Sequence, residues 1–208
     1  MKTFLFNILL SSAIAVPFIG MMSGCSDEDE NRFRPGSAQK PEPVTPEEGL
    51  DYTKLTAENH PRLLMNATDF TVLKDKISSN TSENLTLLHN TIIGLCNSKG
   101  MSSSALTYKL DASNKRILDV SREALLRIFT CAYAYRTTGD SKYLTHAEAD
   151  INAVCNFSDW NSKRHFLDVG EMATAVALGY DWLYNDLSET TRKKAADALL
   201  NFAFKPAQ

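Results

Sequence analysis

From about residue 60 onward, apolar residues recur at intervals of three and four positions, which is the spacing of one face of a helix. Two helices are predicted first, one capped by Thr68 and Asp69 and one running from Glu83 to Cys96. Their predicted buried residues are Phe70, Leu73 and Ile77 in the first helix, and Leu85, Leu88, Ile92 and Leu95 in the second. Alternation with a period of two is not sustained, so no strand is predicted, and residues 97–114, rich in Ser and Asn, are predicted to form a loop.

Four longer helices are predicted next, and they determine the fold class. Their ranges are Lys115–Thr138, Ser141–Phe157, Leu167–Tyr184 and Ser188–Phe204. The first and third are apolar around most of their circumference and must be covered on several sides, whereas the second and fourth have one apolar side. The order is therefore inner, outer, inner, outer, with short connections. This order predicts an all-α fold of stacked αα-hairpins, which form part of an incomplete (α/α) toroid or a solenoid.

The ends of these helices carry recognisable signals. Gly139 directly follows the first long helix and is predicted to end it in a left-handed conformation. Ser188 is the predicted N-cap of the last helix, and Glu189 lies at its positive end.

The first 25 residues have the pattern of a lipoprotein signal peptide. Lys2 supplies a short basic start, Phe4–Ile19 is mostly apolar, and Met22–Cys25 resembles a lipobox in which Cys25 is lipidated. Acyl chains on Cys25 would hold the chain at a membrane. The alternative is an ordinary signal peptide that happens to contain a cysteine.

Residues 26–59 are predicted to form a disordered, acidic and proline-rich tether between the anchor and a globular domain at residues 60–208. Ser26 is followed by four acidic residues, which are either a solvated charge run or resemble the export signal of bacterial surface lipoproteins. The prolines of the tether are Pro35, Pro41, Pro43 and Pro46.

Composition narrows the possible functions. The 208 residues carry a formal net charge of −3, so no nucleic-acid partner is predicted. Besides Cys25, the cysteines are Cys96, Cys131 and Cys155, which are predicted to be buried thiols with at least one left unpaired in an oxidising compartment. His89 and His146 lack the spacing of metal ligands, and neither a metal nor a cofactor is predicted.

Three segments of the predicted helical domain resemble one family. They are His60–Leu64, with the sequence HPRLL; His165–Ala173, with the sequence HFLDVGEMA; and Ala177–Tyr184, with the sequence ALGYDWLY. In this order they are similar to the N-terminal domain of heparinase II/III-like polysaccharide lyases. The resemblance extends over residues 60–208.

The resemblance implies an enzyme with an N-terminal α/α toroid and a C-terminal β-sandwich region, which cleaves uronic-acid polysaccharides by β-elimination. It implies an acidic, glycosaminoglycan-like substrate and, with the lipobox, a lipid-anchored location in the cell envelope at the outer membrane. In the family, the carboxylate-binding and catalytic residues follow the GYDWLY helix. No catalytic residue is therefore assigned here, and the 208-residue chain is expected to be inactive without further toroid and β-sandwich regions.

Two functions other than a lyase are also compatible with a helical, lipid-anchored chain. One is a non-catalytic, glycan-binding surface lipoprotein built from helical hairpins. The other is an α/α-toroid glycoside hydrolase, which needs two carboxylates that face each other across a cleft. Glu171 and Asp181 share one predicted helix and are separated by about 15 Å along its axis, which is too far for that chemistry.

The candidate glycan-binding residues are Trp160, Asn161, Arg164 and His165, on the loop before the second inner helix. A tryptophan can stack on a sugar ring, and an arginine can pair with a uronate or sulfate. The alternative is that Trp160 is a packing residue and Arg164 a solvated charge.

A polar stripe is predicted on that helix at Glu171, Thr174, Asp181 and Asn185. Its predicted use is structural hydrogen bonding to helix ends or to Arg127, since buried polar groups need partners. Arg127 is itself predicted to pair with Glu123, one turn earlier. Tyr180, Trp182 and Tyr184 are predicted to be core residues rather than sugar-binding platforms.

Overall fold

The computed structural model describes residues 59–208, so the predicted signal peptide, Cys25 and the predicted tether up to residue 58 lie outside the described residues. The described chain is helical and contains no strand, which confirms the all-α prediction for this range. Its α-helices are α1 (Ala67–Ser78), α2 (Glu83–Leu95), α3 (Leu118–Thr138), α4 (Ser141–Cys155), α5 (Phe166–Leu183) and α6 (Glu189–Ala198).

Local signals explain where the helices begin and end. The side chain of Ser188 accepts a hydrogen bond from the backbone N–H of Thr191, and Gly139 ends α3 with a φ of 77°, as predicted. The predicted cap of α1 was wrong by two residues. Asn66 is the N-cap, and it exchanges side-chain to backbone hydrogen bonds with Asp69 in a capping box.

Two helices continue into wider, π-helical turns. Cys96–Gly100 extends α2, and Leu199–Phe204 extends α6 before a final 3-10 turn at Lys205–Ala207. The first residues of the predicted 97–114 loop are therefore helical. Such a turn shifts the side chains that follow it around the helix axis, which changes the residues that face the core.

The four long helices form two layers. The most extensive helix contacts are between α3 and α5 and between α3 and α4, and α4 also contacts α6. Helices two apart in the chain are thus neighbours, which is the arrangement of two αα-hairpins placed side by side. Gly179 of α5 lies close to both α3 and α4, because a Cβ there would be 2.5 Å from Ile128 of α3 and 2.9 Å from Ile151 of α4.

Some predicted buried residues face solvent instead. Leu88 is 56% exposed, because α2 is turned so that the Nδ1 atom of His89 lies 3.0 Å from the hydroxyl of Tyr133. Ala196 of α6 and Leu200 of the π-helical turn after it are exposed, whereas Ala195 and Leu199 are buried as predicted. The buried side of α6 instead includes Thr191 and Ala198.

Helix α5, which is predicted to be an inner helix, is not surrounded by protein on all sides. Its buried side includes Val169, Met172 and Val176, but Leu167 is 54% exposed and Thr174 is also exposed. One side of α5 therefore faces solvent, and this side follows directly from the loop that carries the candidate residues.

Candidate functional site

A buried carboxylate organises the loop that precedes α5. Asp168, in the first turn of α5, has no exposed surface. Its Oδ1 atom accepts hydrogen bonds from the Nε and Nη2 atoms of Arg116, at 3.0 and 2.6 Å. Its Oδ2 atom accepts hydrogen bonds from the backbone N–H of Ile117, at 2.9 Å, and from the side-chain amide of Asn161, at 3.1 Å. One side chain thus joins the beginnings of α3 and α5 and the loop between α4 and α5.

Two of the four candidate residues belong to this buried framework. Trp160 has no exposed surface; its indole N–H donates to the carbonyl of Val154 at 3.0 Å, and its ring packs edge-on against Phe202. Asn161 is 7% exposed and also donates to the carbonyl of Lys115. The prediction of a sugar-stacking Trp160 is therefore corrected to its alternative, a packing residue, because the ring faces are covered by protein.

The other two candidates remain accessible. The side chains of Arg164 and His165 are exposed, as is that of Lys163. The backbone N–H groups of Arg164 and His165 both donate to the carbonyl of Asn161, at 3.1 and 3.2 Å, and so fix the loop backbone beneath these side chains. Lys163 was missed as a candidate, although it directly precedes Arg164 and adds a third group able to carry positive charge.

The position of this basic run favours anions. His165 is the N-cap residue of α5, and its side chain makes no cap hydrogen bond. The N-terminus of a helix carries a partial positive charge and unpaired N–H groups, which attract anionic groups. The exposed side chains of Lys163 and Arg164 therefore lie next to a helix end with the same preference.

The polar stripe of α5 does not act as a single unit. Glu171 pairs with Arg122 of α3, with an Oε2 to Nε distance of 3.1 Å. The hydroxyl of Thr174 donates to the carbonyl of Gly170 within α5. Asp181 is buried and bonds elsewhere, and none of the four stripe residues pairs with Arg127 in the hydrogen bonds and ion pairs described for residues 59–208.

Asp181 instead holds the start of the described chain, in a set of contacts that we call the His60–Asp181 clasp. Its Oδ1 atom lies 2.6 Å from the Nδ1 atom of His60. Its Oδ2 atom accepts hydrogen bonds from the backbone N–H groups of Arg62 and Leu63, both at 2.8 Å. The indole N–H of Trp182 donates to the carbonyl of Leu63, also at 2.8 Å.

Aromatic rings complete the clasp. The imidazole of His60 stacks on Tyr184 with a centroid distance of 4.0 Å and forms a T-shaped contact with Tyr180 at 5.7 Å. The side-chain amide of Asn185 lies 3.4 Å from the carbonyl of His60. Trp182 is 3% exposed, which confirms it as a core residue, whereas Tyr180 and Tyr184 are half-buried against the clasp.

A second buried ion pair was missed by the sequence analysis. Arg127 makes the predicted contact with Glu123 at 3.2 Å, but its principal partner is Asp150 of α4, with N–O distances of 2.8 and 2.5 Å. Arg127 also donates to the carbonyls of Ser102 and Ser104 and so fixes the loop after α2. Burial raises the pKa of the Asp150 carboxyl, and the guanidinium of Arg127 opposes this rise.

Other features of the described residues add no chemistry to the loop. Within residues 59–208, no group of three His, Cys, Asp or Glu side chains is placed to hold a metal ion, and no helix is long and apolar enough to cross a membrane. A surface hollow of about 360 Å³ lies along α6 and is lined by Glu189, Thr190, Lys193, Lys194 and Asp197, none of which is a candidate residue.

Comparison with known proteins gives no family assignment. The sequence matches no protein-family model and no curated protein.

Proposed function

We propose that this chain is the N-terminal helical portion of a heparinase II/III-like polysaccharide lyase, in which residues 60–208 form part of an (α/α) toroid. The observation that carries the proposal is the His60–Asp181 clasp. His60 belongs to the HPRLL segment and Asp181 to the GYDWLY segment, so two of the segments that carry the resemblance contact each other across 121 positions of sequence. The proposal explains why both segments occur together in one chain.

The side-by-side packing of the two hairpins supports the toroid. An (α/α) toroid repeats an inner and an outer helix, and here α3 lies against α5 while α4 lies against α6. In this proposal, the solvent-exposed side of α5, with Leu167 and Thr174, corresponds to the inner surface of the toroid.

In this proposal, residues 60–208 bind the polymer and do not supply the catalytic groups. The exposed side chains of Lys163, Arg164 and His165 would contact uronate carboxylates or sulfates. Of the three, Arg164 is the strongest candidate, because a guanidinium pairs with such groups in a bidentate manner. Asp168 and Asn161 would act only by fixing the loop backbone.

A binding experiment tests the role of this loop. Isothermal titration of the full chain with heparan sulfate should show binding that weakens as salt is added, and neutral dextran should not bind. Arg164→Ala should weaken binding about tenfold, the loss expected from one charge-assisted hydrogen bond. Lys193→Ala, on the solvent side of α6, is the matched control and should bind like the parent. Equal binding by both variants would remove the loop from the proposal.

The second candidate is the non-catalytic, glycan-binding surface lipoprotein, which the exposed basic run at 163–165 also favours. The coding sequence after the Gln208 codon separates the two functions. Further helical hairpins with an Asn or His motif, then a Tyr and a β-rich region, would support the lyase. A stop codon would favour the binding protein. In either case, mixing this chain with heparan sulfate should give no new absorbance from unsaturated uronate.

The location is proposed on the lipobox alone: Cys25 would anchor the chain at the outer membrane. Fatty-acid labelling in a bacterial host tests this proposal, because Cys25→Ser should abolish the label. Cys155→Ser should retain it. Equal labelling of the parent and Cys25→Ser would disprove lipidation at Cys25.

A further inference from the structure

Two buried thiols lie against each other where α2 meets α3. The Sγ atoms of Cys96 and Cys131 are 3.6 Å apart, and neither residue has exposed surface. Cys96 begins the π-helical turn after α2, and Cys131 lies in the middle of α3. Both cysteines are free, as is Cys155.

The surroundings hold the two sulfur atoms together. The backbone of Gly100 covers them so closely that a Cβ there would be 3.3 Å from the Cys96 Sγ, 3.6 Å from the Cys131 Sγ and 2.5 Å from the hydroxyl of Thr130. The turn itself is fixed to α4, because the hydroxyl of Tyr143 donates to the side chain of Asn97 at 2.9 Å.

We propose that Cys96 and Cys131 form an intramolecular disulfide when the protein meets a small disulfide oxidant, and that this bond fastens the end of α2 to α3. A disulfide needs a sulfur–sulfur distance of about 2.0 Å. The remaining approach of about 1.6 Å is of the size that rotation of the two side chains supplies.

The reaction balances in two exchange steps. The Cys96 thiolate attacks one sulfur of the oxidant and releases one small thiol, which leaves a mixed disulfide. The Cys131 thiolate then attacks the Cys96 sulfur and releases the second small thiol. The two protein thiols are oxidised, the oxidant is reduced, and the two protons end on the two small thiols.

The hydrogen bond between the thiols favours Cys96 as the first nucleophile. The hydrogen bond from Cys131 lowers the pKa of the Cys96 thiol, whereas the hydrogen bond to Cys96 and burial raise the pKa of the Cys131 thiol. Burial raises the pKa of Cys155 to about 12. Cys155 is thus a poor competitor for the oxidant.

Access to the pair requires a local opening, and α2 is suited to it. α2 has no fully buried residue, unlike α3, in which nine residues are buried. The end of a helix with so little burial opens at a lower free energy than the core helices do. Opening of the turn itself must also expose Cys96 and Gly100 and break the hydrogen bond between Tyr143 and Asn97, so this local opening limits access to the pair while α3–α6 stay packed.

The test is oxidation of the full, folded chain. The reduced protein is incubated with oxidised glutathione, the remaining thiols are alkylated after denaturation, and the peptides are mapped by mass spectrometry. We expect two thiols to be lost and a peptide joined through Cys96 and Cys131 to appear, with Cys155 alkylated. Because the bond closes a loop of 35 residues, Tm should rise by about 5 to 10 °C on oxidation.

Two variants serve as controls. Cys155→Ser should still form the bond and show the same rise in Tm. Cys131→Ser should not show the rise, and its Cys96 should be recovered as a thiol or as a mixed disulfide with glutathione. Alkylation of both Cys96 and Cys131 in the oxidised parent would overturn the proposal, as would a bond to Cys25 or Cys155 in their place. These results do not depend on whether the chain binds a glycan.

Discussion

At the scale of single residues, two glycines of α5 differ sharply in their surroundings. A Cβ at Gly179 would lie 2.5 Å from the Cγ2 atom of Ile128, whereas a Cβ at Gly170 would meet nothing within 4 Å. Both glycines lie in the same helix, so each loses a similar amount of backbone conformational entropy on folding, and only their packing differs. Gly179 is therefore needed for the close contact of α5 with α3.

Alanine at the two positions should act in opposite directions. Gly179→Ala should lower the free energy of unfolding by about 1–3 kcal/mol, because Ile128 and Ile151 must move to admit the methyl group. Gly170→Ala should raise it by about 0.5–1 kcal/mol through helix propensity. Urea denaturation of both variants measures the difference. A Gly179→Ala protein as stable as the parent would show that the helices can separate without cost.

At the scale of elements, Glu148 connects α4 with the start of α6. Its Oε1 atom accepts hydrogen bonds from the backbone N–H of Ser188 at 3.1 Å and from the hydroxyl of Thr191 at 2.7 Å. Burial acts to raise the pKa of the Glu148 carboxyl, but these hydrogen bonds outweigh it and hold that pKa below its usual range. A carboxylate of α4 thus binds the first turn of α6.

This connection should depend on pH. Because the pKa of Glu148 is lower in the folded chain, its carboxylate contributes stability above the unfolded pKa of about 4.3, and this is lost as pH falls through the folded pKa. Glu148→Gln should lower the free energy of unfolding by about 0.5–1 kcal/mol near pH 7, a small value because the side chain is half-exposed. The difference should shrink as the pH falls below about 4.3 and should disappear only below the folded pKa of Glu148. Urea denaturation at each pH measures it, with Asp197→Asn on the exposed side of α6 as the control. A pH-independent difference would contradict the argument.

Helix positions could be predicted from the sequence because each helix has its own local signals, such as Ser188 and Gly139. The predictions of the buried sides of α2 and α6 were partly wrong. The contact of His89 with Tyr133 sets the side that α2 buries, and a π-helical turn follows α6; both depend on neighbouring helices. The contacts of the candidate loop were also beyond prediction from the sequence, for the same reason. Asp168 contacts residues 51 and 52 positions away, and one aspartate in an apolar run does not indicate its partners.

At the scale of the whole molecule, the His60–Asp181 clasp ties the first described residues to the end of α5. Asp181→Ala should remove the carboxylate that binds the imidazole of His60 and the N–H groups of Arg62 and Leu63. A buried group that loses its hydrogen-bond partner costs about 1–3 kcal/mol, and the segment before α1 should detach.

Limited proteolysis measures this detachment. Trypsin should cleave after Arg62 faster in Asp181→Ala than in the parent. Thr174→Ala changes the same helix but not the clasp, so it should be cleaved like the parent. Unchanged cleavage in Asp181→Ala would show that other contacts suffice to hold the segment.

The 121-position separation of His60 and Asp181 also sets a delay during synthesis. At about 5–20 residues per second, the ribosome makes Asp181 roughly 6 to 24 s after His60. During that interval the HPRLL segment lacks the carboxylate of Asp181 and the ring of Tyr184 that bind it in the folded chain. The nascent chain therefore presents this segment to chaperones and proteases until α5 emerges, and the first part of the domain to be made is among the last to be fixed.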